Sequence, residues 1–296
     1  MGRTRLVPTA VINGITTHYE VVGSGPPLLM FSPGGFNATL ENWRSLSVYS
    51  RFRPLDHLPG RYTCVVFDQR GSGQSGGRFE RITWAHYAAQ GMGLLDHLDI
   101  DKAHLMGGCM GCSSVAAFAV AHPEMVRSMI LFWPAGGVKY RLKGHARFAQ
   151  HIAYVQEHGL ERVVSLARSH DEPFTRDPRV GPWASVLRRD EAFASAYAQQ
   201  DPDRYQLVVS GMARTLFDRD TVPGAEPEDL LQLDIPAFII PGQDTSHAPS
   251  AARYLEECLP GAEYWDIAVA DQTEETVPPR LLEFLDSTPN RSLRQY

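Results

Sequence analysis

The sequence predicts an α/β fold in which a doubly wound, mostly parallel sheet carries an inserted helical cap. Short apolar runs alternate with segments of helical periodicity over most of the chain, as in parallel sheets covered by helices on both faces. The stretch 138–227 has helical periodicity alone and is interrupted by prolines, and the alternation resumes at about residue 235. The third observation is Cys109, which stands between glycines where a predicted strand meets a predicted helix.

The predicted core comprises residues 1–137 and 228–296, and the predicted cap comprises 138–227. Two β-prone runs flank Asn13-Gly14, a pair suited to a tight turn, so a hairpin is expected over Ala10–Val22. Further strands are predicted at Leu28–Phe31, Thr63–Phe67, Ala103–Gly107, Ser128–Trp133, Ile235–Ile240 and Ala262–Ile267. Late helices are predicted near Ala248–Leu259 and Pro279–Leu285, and the tail Ser287–Tyr296 is expected to be loose.

Composition narrows the class of protein. Of 296 residues, 43% are hydrophobic and 21% are charged, and no run of about 18 apolar residues could span a bilayer. The first residues lack the apolar stretch of a secretion signal, so a cytoplasmic protein without membrane partners is expected. The net charge of -6 and the absence of a Lys/Arg cluster make nucleic acid an improbable partner. A homodimer is compatible with these features.

Neither metal nor cofactor is expected. No metal-ligand spacing stands out, and Gly71-Ser72-Gly73 is too short and wrongly placed for a phosphate loop. The four cysteines are scattered through the chain, so reduced thiols are expected.

A tight turn around Cys109 follows the strand Ala103–Gly107 and precedes a helical pattern that ends before Pro123. Gly107 and Gly111 lie two residues before and after the cysteine, where small residues let the neighbouring backbone pass. This G-x-C-x-G pattern is that of a nucleophile elbow with sulfur in place of the usual serine oxygen. It predicts a nucleophilic Cys109.

Further segments make the pattern specific. SPGGFN (32–37) follows one strand, FDQRGSGQS (67–75) follows the next, HPEMVRSMIL (122–131) follows the elbow, and PGQD (241–244) comes late. In order and spacing, the chain resembles the α/β-hydrolase superfamily, particularly the capped branch that includes epoxide hydrolases, meta-cleavage-product hydrolases and proline iminopeptidases. The resemblance implies a cofactor-independent enzyme with a nucleophile, an acid and a histidine.

Two alternatives compete for Cys109. A lone cysteine is often a small buried hydrophobe, and Cys109-Met-Gly-Cys112 is a CxxC that could form a redox pair at a helix start. Thioredoxin-like domains are far shorter and would not explain Gly107, Gly111 or the FDQRGSGQS segment. Catalysis is therefore the favoured interpretation.

The resemblance implies an oxyanion hole of two backbone N–H groups. Met110, directly after the nucleophile, is expected to supply one, and Gly35 or Phe36 in the early loop the other. Where the family often has His-Gly, this chain has Pro33-Gly34. A plain glycine-rich turn is the alternative.

The resemblance places the acid after the strand Ile235–Ile240, at Asp244, although the family often has it one residue later, at Thr245. A helix N-cap is the alternative role for Asp244. The family's histidine follows the last strand, but residues 266–275 read DIAVADQTEE and contain none, and Asp271 is expected near the vacated position.

His247, three residues after Asp244, is the first candidate for the missing imidazole, with a surface loop histidine as the commoner alternative. The weaker candidates are His86, His145, His151, His158 and His170. A thiol has a pKa of about 8.5, which a helix N-terminus lowers further, so a cysteine tolerates the loss of the usual base better than a serine does.

Three functions follow from these residues. The first is acyl transfer or hydrolysis of an ester, thioester or lactone through Cys109, with Asp244 and His247 in support. The second, favoured by the missing histidine, is a lyase, elimination catalyst or cyclase of secondary metabolism in the same pocket. The third is a catalytically inactive binding protein. A small hydrophobic substrate is indicated by aromatic cap residues, although a self-packed cap fits them equally: Phe148, Tyr154, Phe174, Trp183 and Tyr197.

Overall fold

The computed structural model describes residues 8–288 and contains one eight-stranded sheet. Its strands are β1 (Thr9–Ile12), β2 (Ile15–Val22), β3 (Pro27–Phe31), β4 (Thr63–Phe67), β5 (Ala103–Gly108), β6 (Val126–Phe132), β7 (Ala237–Ile240) and β8 (Ala262–Tyr264). The strand order is β1-β2-β4-β3-β5-β6-β7-β8. β1 and β2 pair antiparallel, β2 is antiparallel to β4, and the other pairings are parallel. The predicted mostly parallel sheet is therefore confirmed.

Helices connect the parallel strands. They are α1 (Asn42–Ser45), α2 (Ser47–Phe52), α3 (Pro54–His57), α4 (Trp84–His97), α5 (Gly111–Ala121), α6 (Val138–His158), α7 (Leu160–Ser169), α8 (Ala184–Arg189), α9 (Glu191–Ala198), α10 (Pro202–Leu216), α11 (Pro227–Leu230), α12 (Pro249–Cys258) and α13 (Val277–Ser287). The segment between β6 and β7 is helical, from α6 to α11, with no strand. The exact boundaries of a cap domain stay a prediction.

Alternate residues of the strands face opposite sides of the sheet, as the pleat requires. In β3, Leu29 and Phe31 join one buried apolar cluster with α4 and α5, whereas Leu28 and Met30 join another with the short helices α1–α3 and α13. A third buried cluster joins residues that follow the carboxyl ends of β3, β5 and β6 to the helices α6–α10. These helices therefore cover the edge of the sheet where parallel strands end.

Several strand ends differ from the predictions. The hairpin is as predicted, with Asn13 and Gly14 at positive φ. β6 stops at Phe132, because Trp133 adopts φ 52° and leaves the strand. β7 begins at Ala237, directly after Pro236, which has no N–H to donate. β8 ends at Tyr264 rather than residue 267, since β7 offers it only three paired residues.

The helix predicted near Ala248–Leu259 spans Pro249–Cys258, and the closing helix is longer than predicted, at Val277–Ser287. Of the predicted loose tail, residues 289–296 lie outside the described part of the chain.

Candidate active site

Cys109 occupies a sharp corner between β5 and α5. Its φ of 55° lies in the left-handed region, which is strained for a residue with a side chain. A Cβ atom at Gly107 would collide with the carbonyl of Gly111, and one at Gly111 would collide with the carbonyl of Phe31. Both glycines are thus required by close backbone approach, as the nucleophile elbow predicts.

Neighbouring backbone holds this corner in place. The Cys109 N–H donates to the Phe132 carbonyl (3.1 Å), and the Ala135 N–H donates to the Cys109 carbonyl (3.3 Å). Cys109 remains only half-buried. The side chain therefore stays accessible beneath the helices that follow β6.

Cys112 has a different environment. Its thiol is fully buried and donates to the carbonyl oxygens of Gly107 (3.2 Å) and Phe132 (3.5 Å). Burial, followed by the charge of Cys109, raises the Cys112 pKa well above its ordinary value. Both cysteines are free thiols, so the CxxC sequence forms no disulfide. These contacts favour a packing role for Cys112 over a redox role.

Asp244 and His247 meet in one loop after β7. The His247 Nδ1 atom lies 2.8 Å from Oδ2 and 2.9 Å from Oδ1 of Asp244. The same carboxylate accepts the backbone N–H groups of Ser246 (2.7 Å) and His247 (3.0 Å). This short-range turn fixes the imidazole relative to the acid.

The other imidazole nitrogen of His247 faces Cys109. Nε2 is buried and makes no hydrogen bond of good geometry with any residue from 8 to 288. The Cys109 thiol is nevertheless close enough to act on the pKa of His247 through both charge and hydrogen bonding.

The three side chains shift one another's pKa values. Burial alone would raise the pKa of Cys109, but the charge and hydrogen bond of His247 outweigh it and lower the pKa. Burial alone would lower the pKa of His247, but Cys109 and Asp244 raise it to about 10. The hydrogen bond from His247 lowers the Asp244 pKa to about 2. Relative to the isolated groups, this arrangement favours the thiolate form of Cys109 and the imidazolium form of His247.

Backbone N–H groups also act on the thiol. Hydrogen bonds from Met110 and Gly34 contribute to the lowered pKa of Cys109. Met110 is the residue directly after Cys109, and Gly34 lies in the early loop, one residue before the predicted Gly35 and Phe36. Gly34 has φ 120° and Gly35 has φ 62°, so the loop turns sharply there. The roles of Met110, Gly35 and Phe36 as oxyanion donors stay predictions.

A buried glutamine lies in the segment 266–275, where the resemblance implies a histidine. Asp271 is exposed, whereas the side chain of the next residue, Gln272, is fully buried. The Gln272 Oε1 atom accepts the indole N–H of Trp133 (2.7 Å), and its Nε2 donates to the Pro241 carbonyl (2.9 Å). Sequence reasoning missed both Gln272 and Trp133.

The remaining candidate histidines contact groups other than Cys109. They are His86 with Thr83, His145 with the Phe217 carbonyl, His151 with Tyr205, His158 with Tyr154 and His170 with Asp177. Burial lowers the pKa of His151 to about 4, so this imidazole is neutral near pH 7. Local hydrogen bonding and packing account for all five.

Tyr140 was also missed by sequence reasoning. It lies in the first turn of α6, five residues after Ala135, which contacts Cys109. The ring is buried against Phe217 (5.0 Å between centroids), and its hydroxyl has no hydrogen bond partner among the described residues. Burial raises the Tyr140 pKa, and the charge of Cys109 raises it further. A buried polar group without a partner is uncommon in folded proteins, and this one lies close enough to Cys109 to interact with its charge.

Most of the aromatic cap residues pack against one another. Phe148, Phe174, Trp183 and Tyr197 are almost fully buried, whereas Tyr154 is half-buried. Phe36, beside the nucleophile's loop, packs against Phe148 and Phe174 at 5.5 and 5.2 Å between ring centroids. The surroundings of Cys109 are therefore apolar and aromatic.

Other kinds of site are not seen in the described residues. No cluster of three or more metal-ligating side chains occurs between residues 8 and 288. Within the same range, no helix combines the length and apolarity needed to cross a membrane. A groove of about 330 Å³ between α4, α5 and residues 224–225 is lined by none of Cys109, Asp244 and His247.

The fold agrees with comparisons to known proteins. Residues 27–173 match the family model described as alpha/beta hydrolase fold. The enol-lactonase from Burkholderia xenovorans LB400 has a similar structure, with a TM-score of 0.60, 20% sequence identity, and coverage of 95% of this chain and 100% of that one. The chain thus has the α/β-hydrolase fold.

Two curated relatives are similar over part of their length. One is the dihydrolipoyllysine-residue acetyltransferase component of the acetoin cleaving system of Cupriavidus necator, 34% identical over 43% of this chain and 32% of its own length. The other is the 2-hydroxymuconate semialdehyde hydrolase of Pseudomonas sp. strain CF600, 31% identical over 42% of this chain and 41% of its own length. The chain therefore spans less than half the length of either relative.

Proposed function

We propose that the protein is a hydrolase of small apolar esters, thioesters or lactones, with Cys109 as nucleophile, His247 as general base and acid, and Asp244 as the group that holds the imidazole. The observation that carries this proposal is the position of His247 between the Asp244 carboxylate and the Cys109 thiol. Because His247 lies in this place, the absence of a histidine after β8 no longer argues against hydrolysis.

In the first half of the reaction, the Cys109 thiolate attacks the substrate carbonyl carbon, and the carbonyl electrons move to oxygen. The N–H groups of Met110 and Gly34, which contact the sulfur in the free protein, are placed to donate to the developing oxyanion. When the intermediate collapses, the leaving oxygen of an ester or lactone, or the leaving sulfur of a thioester, takes the proton from the His247 imidazolium. Cys109 is left as a thioester; an ester releases an alcohol, a thioester releases a thiol, and the hydroxyl of an opened lactone stays on the acyl group.

In the second half, neutral His247 takes a proton from water, and the resulting hydroxide attacks the thioester. Collapse releases the carboxylic acid and restores the thiolate beside the imidazolium. Asp244 remains ionised throughout, because its pKa of about 2 lies far below neutral pH. Its task is to fix the tautomer and orientation of the ring.

The comparisons support a hydrolase without fixing its substrate. One relative by sequence is a semialdehyde hydrolase, and one protein of similar structure is an enol-lactonase. We extend to this chain only the general class, attack on a carbonyl carbon followed by attack of water. The aromatic surroundings of Cys109 favour a hydrophobic acyl or carbonyl substrate.

The lyase or cyclase alternative drew its support from a missing base. Since His247 can activate water, the argument for a lyase or cyclase is weaker. The binding-protein alternative does not explain why Cys109, His247 and Asp244 converge.

Acyl-enzyme formation tests the proposal. A short 4-nitrophenyl ester should add its acyl mass to Cys109 in intact-protein mass spectrometry, and turnover in H₂¹⁸O should place one heavy oxygen in the acid. Cys109→Ala should form no adduct, whereas Cys112→Ala, the matched control, should form it normally. Absence of an adduct in the unmodified protein would contradict the proposal, and product without heavy oxygen would favour the lyase alternative.

A further inference from the structure

The ring of Trp133 lies against the imidazole of His247. The two ring centroids are 5.3 Å apart with an interplanar angle of 52°. Asp244 occupies Nδ1 and Cys109 faces Nε2, so the indole covers a third side of the histidine. A cation within about 6 Å of an indole ring is attracted by its π-electrons, and the imidazolium form of His247 meets this distance.

Trp133 adopts a backbone conformation that is costly for a bulky residue. Its φ of 52° is in the left-handed region, directly after β6. Such strain persists only where surrounding contacts impose it. The backbone N–H donates to the Ile240 carbonyl (2.8 Å), and the indole N–H donates to Gln272 Oε1 (2.7 Å).

Both the oxygen and the nitrogen of the Gln272 carboxamide make hydrogen bonds. While Oε1 accepts from Trp133, Nε2 donates to the carbonyl oxygens of Pro241 (2.9 Å) and Ile267 (3.4 Å). The side chain is completely buried. It lies after β8, in the region where the resemblance places a histidine.

Gly242 makes the contact between Trp133 and His247 sterically feasible. A Cβ atom at this position would lie 2.6 Å from the Cβ of His247 and 3.0 Å from the indole ring. Any side chain there would separate the two rings or displace the loop. Gly242 of the PGQD segment is thus required by the close packing of these two rings.

We propose that Gln272 and Trp133 are positioning residues for His247: the buried glutamine fixes the indole through its N–H, and the indole holds the imidazole against Cys109. This inference rests on the proposed function, because it concerns the histidine that acts there as base. His247, which follows β7 and is supported by Trp133 and Gln272, then takes the role that the resemblance implies for a histidine after β8.

The charged and titratable groups around this histidine are few. Asp244 and Cys109 contact it directly, and Tyr49, buried against the elbow, interacts with the charge of Cys109. Lys143 of α6 donates to Thr245 in the same loop (2.6 Å). None of these groups is changed by the substitutions below.

The test is the imidazolium pKa of His247, followed by ¹⁵N-histidine NMR and assigned with His247→Gln. Trp133→Leu removes the indole, Gln272→Met removes the clamp at similar volume, and Trp133→Phe keeps a ring but loses the indole N–H. Trp265→Leu is the matched control, since Trp265 packs on Phe238 at 6.0 Å, in the same sheet-facing cluster but away from His247.

We expect Trp133→Leu and Gln272→Met each to lower the His247 pKa by about one unit, the size of a cation–π contact, and Trp133→Phe to lower it less. Because the glutamine acts through the indole, the double variant should show no larger shift than Trp133→Leu alone. The control should leave the pKa unchanged. An unchanged pKa in Trp133→Leu, or additive shifts in the double variant, would overturn the inference.

Failure of the proposed function is seen separately. The NMR titration needs no substrate and tests only the support of His247. The proposed function is tested by the acyl adduct on Cys109, and it fails if the unmodified protein forms none. Trp133→Phe, the mildest change, keeps the test available if Trp133→Leu does not fold.

Discussion

The Asp244 carboxylate lies 2.8 Å from the imidazole of His247, only three residues later in the same loop. The acid and the imidazole are therefore held together by one short turn, and β7 carries both of them to the Cys109 corner. In the arrangement that the sequence resemblance implies, these two groups come from different loops. Any change in the loop after β7 should consequently affect both.

Asp244→Asn should lower kcat/KM by about 100- to 10,000-fold, the range seen when the acid partner of a catalytic histidine is neutralised. Without the carboxylate, the His247 pKa should fall and the Cys109 pKa should rise, so less thiolate is present at neutral pH. Steady-state ester hydrolysis measures the effect. Thr245→Ala is the control, because the family often places its acid at that position. Loss of activity in Thr245→Ala with retention in Asp244→Asn would reverse the assignment.

The stability of the protein should decrease at alkaline pH through His247. Its folded pKa of about 10 exceeds the ordinary value of 6.5, so its contribution is fully present below pH 6.5 and is lost as pH rises through 10. For Asp244, with a folded pKa of about 2 against 3.8, the contribution is present above pH 3.8 and is lost as pH falls through 2.

Urea unfolding at pH 6, 8 and 10 checks the alkaline part. The difference in the free energy of unfolding between the unmodified protein and His247→Gln should shrink from pH 6 to pH 10. A difference that stays constant over this range would mean that the His247 pKa is not raised by folding.

Tyr140→Phe should separate function from stability. Removal of a buried hydroxyl without a partner should leave the melting temperature equal or slightly higher, because its desolvation penalty disappears. If the hydroxyl binds substrate, kcat/KM should fall by about tenfold, as expected for the loss of one hydrogen bond. Unchanged kcat/KM would show that Tyr140 does not contact the substrate. Tyr154→Phe, at a half-buried site on the same helix, is the control.

Cys112→Ala should retain most activity, because the Cys112 thiol only donates to backbone carbonyls. Its main effect should be a loss of stability of about 1 kcal/mol from the missing sulfur contacts. Mild oxidation of the unmodified protein should not produce a species lighter by two hydrogens. Formation of a Cys109–Cys112 disulfide would restore the redox interpretation.

The fold could be predicted from the sequence because its signals are local. Short apolar runs gave the parallel strands, Asn13-Gly14 gave the hairpin, and Gly107 and Gly111 gave the corner at Cys109. Strand ends were less predictable, since they depend on partners. Trp133 reads as the last residue of an apolar strand, yet its indole N–H bonds Gln272 from a distant part of the chain.

The support around His247 could not be predicted for the same reason. The spacing of Asp244 and His247 was a usable signal, because an aspartate can accept N–H groups two and three residues later. No local pattern indicates that Gln272 would bury its carboxamide under Trp133, or that the Gly34 N–H would reach the thiol. These contacts join residues far apart in the chain.

The most direct test of the central claim, that His247 ionises Cys109, is the pH dependence of Cys109 alkylation by iodoacetamide in the unmodified protein and in His247→Gln. In the unmodified protein the rate should reach half its plateau below the thiol's ordinary pKa of about 8.5. In His247→Gln the midpoint should move above that value, because burial then acts without the opposing imidazolium. Superimposable curves for the two proteins would contradict the account.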